Sequence, residues 1–253
     1  MPVDVERVVT LTQELVRARS VHEPATGGTE APAAEVVFAE MRRLGWDPVV
    51  EEVAPGRPNV IAVLDGGRPG PTLLFEGHTD VVTEGDPSRW TRDPFGAEIV
   101  AGRLYGRGSA DMKGGVAAMI CAAEAVRSRG RFPGRIKIAA LADEEGLMLG
   151  AKAFVAAGHA AAVDGAIVCE PEADEVCIAQ KGALRVRIDA RGRMAHGAMP
   201  HQGRNPIAAL SAVAEIVRLV EAELQAEHGE HPLLGLPYLT PTVLLGGSAE
   251  QVN

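Results

Sequence analysis

Thr72-Leu73-Leu74-Phe75-Glu76-Gly77-His78-Thr79-Asp80 runs an apolar strand directly into a histidine flanked by acids. Two later stretches repeat the arrangement. Ile136 to Leu141 is strand-like and is followed by Asp143-Glu144-Glu145, and Ile167-Val168-Cys169 is followed by Glu170. A further acid, Asp111, closes the glycine-rich loop Gly106-Arg107-Gly108-Ser109-Ala110-Asp111 just before a helical pattern. Continuous apolar strands alternating with helices predict an α/β fold with a mostly parallel sheet. In such a sheet the strand C-termini share one edge, where ligands bind. The spacing thus gathers His78, Asp80, Asp111, Glu144, Glu145 and Glu170 at one crevice.

Working outward, Asp4 can cap a first helix whose stripe is Val5, Val8, Val9, Thr12, Leu15 and Val16. A second helix is expected over 31–44, with Gly45 just past its end. Strands are expected over 47–53, 59–64, 71–75, 135–142 and 166–169, and helices over 112–129 and 147–157. The pattern changes after Lys181. Leu184, Val186 and Ile188 alternate with Arg185, Arg187 and Asp189, as on an antiparallel strand with one wet face. A long helix follows, capped by Asn205 and opened by Pro206, then a strand over 240–245. These features predict a first domain over 1–180 and an α+β module over 181–253.

Composition limits what the chain can do. It has 253 residues, 46% hydrophobic and 23% charged, which is ordinary for a globular protein. Its net charge is −9, from 34 acidic and 25 basic residues, with no basic run, so nucleic acid is a poor partner. No apolar run is long enough for a membrane span, and the N-terminal stretch lacks a signal-peptide core. Cys121, Cys169 and Cys177 lie in apolar surroundings without CxxC spacing, as expected of buried thiols in the cytoplasm.

Carboxylates crowded at one edge raise one another's pKa unless a cation sits among them. A histidine with Asp and Glu suits Zn²⁺, and also Mn²⁺ or Co²⁺. Each cluster alone has a plainer explanation: a surface loop for His78-Thr79-Asp80, a solvated turn or helix start for Asp143-Glu144-Glu145, a turn for Glu170-Pro171. Their common position after strands is what favours metal.

The segments Gly77-His78-Thr79-Asp80-Val81-Val82, Gly106 to Gly115, Asp143-Glu144-Glu145-Gly146 and Glu170-Pro171 resemble the dinuclear zinc amidohydrolases and exopeptidases, most of all the deacetylase and desuccinylase branch. Trp90 to Gly96 is a further similar stretch. The resemblance implies two divalent cations, with His78 and Glu170 on one, Glu145 on the other and Asp111 shared. It implies a cis peptide at Asp111-Met112, Asp80 orienting His78, and Glu144 as general base. Gly192 to Pro200 with Gly203 to Ile207 resembles the family's lid and dimerisation domain. His196 would then reach a second subunit's site and polarise the scissile carbonyl, and Asn253 would contact the substrate carboxylate. His22, His159, His201, His228 and His231 are expected at the surface. Family members return to the first domain after the lid and supply one more histidine, so the chain is expected to be the N-terminal part of a longer enzyme. The implied activity is amide hydrolysis of an N-acyl amino acid in a homodimer. A di- or tripeptidase or a carboxypeptidase is the alternative within the family. An inactive metal-binding or dimerisation module is the alternative outside it.

Overall fold

A computed structural model describes residues 2–23, 28–173 and 175–247. The chain divides into two units, Met1–Asp174 and Glu175–Asn253, against the expected boundary near residue 180.

In the first unit, α1 (Val5–Arg17) starts where the Asp4 carboxylate accepts the Arg7 N–H at 2.9 Å. Leu11, Leu15 and Val16 are fully buried, whereas Val5 is 68% exposed. The buried stripe therefore occupies the C-terminal half of the helix, and Leu11 takes the place expected for Val5 and Val9. In the first turns Val5 and Val9 are exposed, while Val8 still packs against the core. α2 (Ala31–Arg43) follows, with Ala33, Ala34, Val37 and Met41 buried and Gly45 at φ +77° beyond its end.

Strands β1 (Val49–Ala54), β2 (Arg57–Asp65) and β3 (Gly67–His78) come next. A short ribbon of β4 (Glu98–Val100) and β5 (Arg103–Tyr105), absent from the sequence expectation, precedes α3 (Gly114–Arg127). Then come β6 (Phe132–Leu141), α4 (Leu149–Ala156) and β7 (Gly165–Val168). Five strands form one sheet in the order β1-β2-β6-β3-β7. β3 pairs in parallel with β6 and β7, but β2 is antiparallel to both β1 and β6. The sheet is mixed rather than mostly parallel. One of the two antiparallel pairs is local: Pro55-Gly56 joins β1 to β2 as a hairpin, and a two-residue connection permits only antiparallel pairing, whereas β2 and β6 meet from distant parts of the chain.

Helices α1, α2 and α3 cover one face. There Leu11, Leu15, Val37, Met41, Val116 and Ile120 meet Val60, Ala62, Ile136 and Ile138 in one buried cluster. On the other face Phe154 of α4 packs with Ile61, Leu74, Ala139 and Leu141. Alternation along β2 therefore sends Val60 and Ala62 to the three-helix face, and Arg57, Asn59 and Ile61 to the face of α4.

In the second unit, α5 (Pro206–His228) forms as expected. The Asn205 side chain accepts the N–H groups of Ile207 and Ala208 at 2.9 and 3.4 Å. The strands expected over 184–189 and 240–245 do not form. Leu184 is 88% and Val186 71% exposed, and this unit's bridges, Arg193–Arg204 and His231–Gly235, are isolated ones. An alternating segment becomes a strand only against a paired neighbour, and among the described residues of this unit none is in place. Of the thiols expected to be buried, Cys121 is, Cys169 is half-buried and Cys177 is exposed. Among the described residues no helix is long and apolar enough to cross a membrane.

Candidate metal centre

β3, β6 and β7 run in parallel, so His78, the 142–150 loop and Glu170 all follow strand C-termini on one edge. His78, the last residue of β3, is 1% exposed. Its Nε2 lies 3.1 Å from Asp111 Oδ1, 3.4 Å from Glu170 Oε1 and 4.0 Å from Glu144 Oε2. Two groupings, His78–Asp111–Glu170 and His78–Glu144–Glu145, each bring one donor atom per residue within 4.8 Å of the others. The structure thus brings five of the six residues anticipated at the strand ends, His78, Asp111, Glu144, Glu145 and Glu170, to one place at the sheet edge.

Asp80 is fully buried and does two things. Its main-chain oxygen lies 2.9 Å and its Oδ1 3.4 Å from His78 Nδ1, which leaves Nε2 facing the acids. Its two carboxylate oxygens also accept the N–H groups of Glu144 and Glu145, at 3.1 and 3.0 Å. The second role was not visible in the sequence, because it joins residues 64 and 65 positions apart.

Asp111 lies in an irregular turn over 109–113, and its peptide bond to Met112 is cis. Lys113 anchors this turn. It is fully buried, and its Nζ donates to the carbonyls of Leu15 and Ala18, both at 2.8 Å, at the C-terminus of α1. A cation suits that end of a helix. Burial brings its pKa down to about 7 against the pull of Asp80.

The electrostatics are those of an acidic site. Burial pushes Glu170 up to about 7, and the attraction of His78 only partly offsets it. Burial, and then the charge of Asp111, raises Glu145 as well. Glu76, two residues before His78, is pushed by burial to about 7. Burial disfavours the charged form of His78, but Asp111 and Asp80 outweigh it and lift the imidazole to about 11. Asp111, bonded to His78, is held below the usual carboxylate range. One imidazole among several convergent carboxylates, two of them reluctant to ionise, is a donor set that fits a divalent cation.

Three further groups escaped sequence reading. Arg57 and Asn59 of β2 reach the 142–150 loop from beneath. His22, expected at the surface, lies 3.4 Å from Asp143 Oδ1 with its side chain 17% exposed. His159 likewise bonds Glu51 at 2.8 Å and stacks near Phe154. His196 is exposed in the second unit, where its Nδ1 accepts the Ala198 N–H at 3.2 Å. Asn253 lies outside the described residues.

A mixed sheet with helices on both faces and a histidine–carboxylate cluster at its parallel edge defines an α/β protein with a candidate metal centre. Residues 74–238 match the family described as peptidase family M20/M25/M40, and the chain belongs to that family. It is similar to a succinyl-diaminopimelate desuccinylase of Rhodospirillum centenum, 37% identical over 93% of this chain and 60% of the relative. A relative of the same name from Gluconacetobacter diazotrophicus is 40% identical over 81% of this chain and 54% of its own length. Among solved structures it resembles an M20 family metallo-carboxypeptidase from Sulfolobus solfataricus, with a TM-score of 0.57 and 25% identity, over 64% of this chain and 36% of that one. The chain spans 60% or less of the length of these relatives.

Proposed function

We propose that the chain carries part of a metal-dependent hydrolase that cleaves the amide bond of an N-acyl amino acid, of the desuccinylase or deacetylase type. The observation that carries this reading is the convergence of Asp111, Glu144 and Glu170 within 4.0 Å of one imidazole nitrogen. Similarity to the two desuccinylases supports the acyl amino acid. His78 and Glu170 would hold one cation, Glu145 a second, and Asp111 both. Zinc suits the donors best, with cobalt or manganese as substitutes. When bound, such cations supply Lewis acidity and bring the pKa of a bound water toward about 7.

The remaining steps belong to the chain. Glu144 borders the same space and is taken as the base rather than as a ligand. Its carboxylate takes the proton from the attacking water and returns it to the leaving amine. Asp80 holds the imidazole of His78 and the backbone of Glu144 and Glu145 in register. His196, from the second subunit of a homodimer formed through residues 181–253, would stabilise the oxyanion, and Asn253 would meet the substrate carboxylate. The enzyme would work in the cytoplasm.

Native mass spectrometry of the zinc-supplied chain, followed by a panel of N-succinyl and N-acetyl amino acids, tests this. Two cations per chain and turnover of acylated amino acids support it. A chain that binds no cation overturns it. Turnover of unacylated dipeptides in place of acyl amino acids transfers the reading to a peptidase, which the likeness to the metallo-carboxypeptidase favours as the second choice.

A further inference from the structure

We propose that Arg57 and Asn59 of β2 are positioning residues: they clamp the 142–150 loop from beneath and so set where Glu144 and Glu145 point. The inference rests on the roles given above to those two glutamates.

The loop leaves β6 and enters α4, and Asn59 closes its two ends. The buried amide oxygen of Asn59 accepts the Ala142 N–H at 3.1 Å, and its amide nitrogen donates to the Gly150 carbonyl at 3.0 Å. The Gly150 N–H in turn donates to the Ala142 carbonyl at 3.0 Å. The closure leaves no room for a side chain at 150, because a Cβ there would land on the backbone of Ala142 and on Asn59 Oδ1.

Arg57, on the same face of the strand, holds the residue just before the two glutamates. Its Nη1 donates to Asp143 Oδ1 and lies 3.2 Å from Glu30 Oε1. Arg57, Asp143 and Glu30 are 5%, 2% and 1% exposed. Asp143 takes a left-handed φ of +66°, unusual for a residue with a side chain. Its other carboxylate oxygen accepts the N–H groups of Leu147 and Leu149 at 3.0 and 3.3 Å, and its carbonyl accepts Met148 N–H at 2.7 Å. Asp143 therefore points away from the crevice and spends its acceptors on the loop that carries its neighbours.

The loop is gripped from both sides. Asp80 holds the amides of Glu144 and Glu145 from the side of His78, and β2 holds the preceding and closing residues from the other. A buried ion pair is weak evidence for stability, because desolvation offsets attraction. What Arg57 and Asn59 provide is geometry, and groups behind metal ligands commonly govern affinity by about 10–100-fold.

The test uses Asn59→Ala, Arg57→Met and Arg57→Lys in the whole chain, with two readouts. The first is backbone amide exchange of the cation-free protein. The expected result in Asn59→Ala and Arg57→Met is exchange about tenfold faster or more within 142–150, with 114–127 and 132–141 unchanged. The second is Zn²⁺ titration by calorimetry. The expected result is a weaker-binding cation lost by about tenfold or more, a tighter one little changed, and partial recovery in Arg57→Lys. Uniform acceleration across the unit, or exchange and zinc affinities equal to wild type, overturns the clamp. If Asn59→Ala does not fold, the two Arg57 variants decide. A wild-type chain that binds no zinc overturns the metal reading instead. The exchange experiment then still decides the clamp by the same local or uniform response.

Discussion

Glu144 and Glu145 are adjacent yet are given different work, and substitutions can separate them. Glu144→Gln is expected to keep the cations and lose turnover by a factor on the order of 10²–10⁴, the usual contribution of a general base. Metal content and kcat on an N-acyl amino acid check it, and loss of cations would return Glu144 to the donor set. Asp80→Asn has a different signature. Its single acceptor oxygen can satisfy only one of the two glutamate amides that the carboxylate now serves. Cation affinity is expected to fall about 10–100-fold with the fold intact, measured by zinc titration beside circular dichroism.

At the scale of elements, α1 and α2 are tied through Glu40, which is 3% exposed and bonded by Arg7 and Arg43. Burial alone would raise its pKa, but the two guanidiniums outweigh it and bring the carboxylate down to about 2. A carboxylate held below its unfolded value stabilises the fold above pH 4.5 and loses that contribution as pH falls toward 2. Glu40→Gln is therefore expected to cost about 1–3 kcal/mol at pH 7 and to flatten the acid limb below pH 4.5. The figure stays below that of a fully buried pair because Arg43 is 58% exposed. Urea unfolding at pH 7 and pH 3 measures both. The start of α3 is equally demanding, because a Cβ on Gly115 would strike the Cys169 carbonyl. Gly115→Ala is expected to destabilise by about 1–3 kcal/mol despite Ala's better helix propensity, since backbone must move to admit it. A higher melting temperature in that variant would contradict the packing described.

At the scale of the molecule, burial raises the pKa of several carboxylates of the first unit, Glu170 of the proposed cation ligands among them. Burial pushes Glu170, Glu76 and Glu30 up to about 7. Between pH 4.5 and 7 the folded state then binds more protons than the unfolded one, so stability falls as pH rises. His78, lifted to about 11, contributes stability below pH 6.5 that wanes as pH climbs, in the same direction. Lys113 acts oppositely, but only above about 7. Cation-free protein is expected to melt higher at pH 5 than at pH 7. Zinc should reverse the order, because it competes with the protons on His78 and Glu170. Thermal melts at both pH values, with and without zinc, decide it, and a zinc effect independent of pH would argue against His78 and Glu170 as its ligands.

The sequence by itself determined the first unit's helices, the strand-end positions of His78, Asp143-Glu144-Glu145 and Glu170, and the glycine-rich turn bearing Asp111. Those signals are local: apolar runs, caps and the residues that follow them. Only the tertiary structure decided the mixed pairing of the sheet, because β6 inserts between β2 and β3 through contacts about 70 residues apart in the chain, beyond any local period. It alone brought Arg57, Asn59 and Asp80 to the 142–150 loop, since hydrogen bonds between distant residues leave no spacing to read. It also denied strands to 184–189 and 240–245, where the alternating pattern was present and the pairing neighbour was not. A period can say which face of a strand is apolar, but a ladder forms only when another backbone is there to complete it.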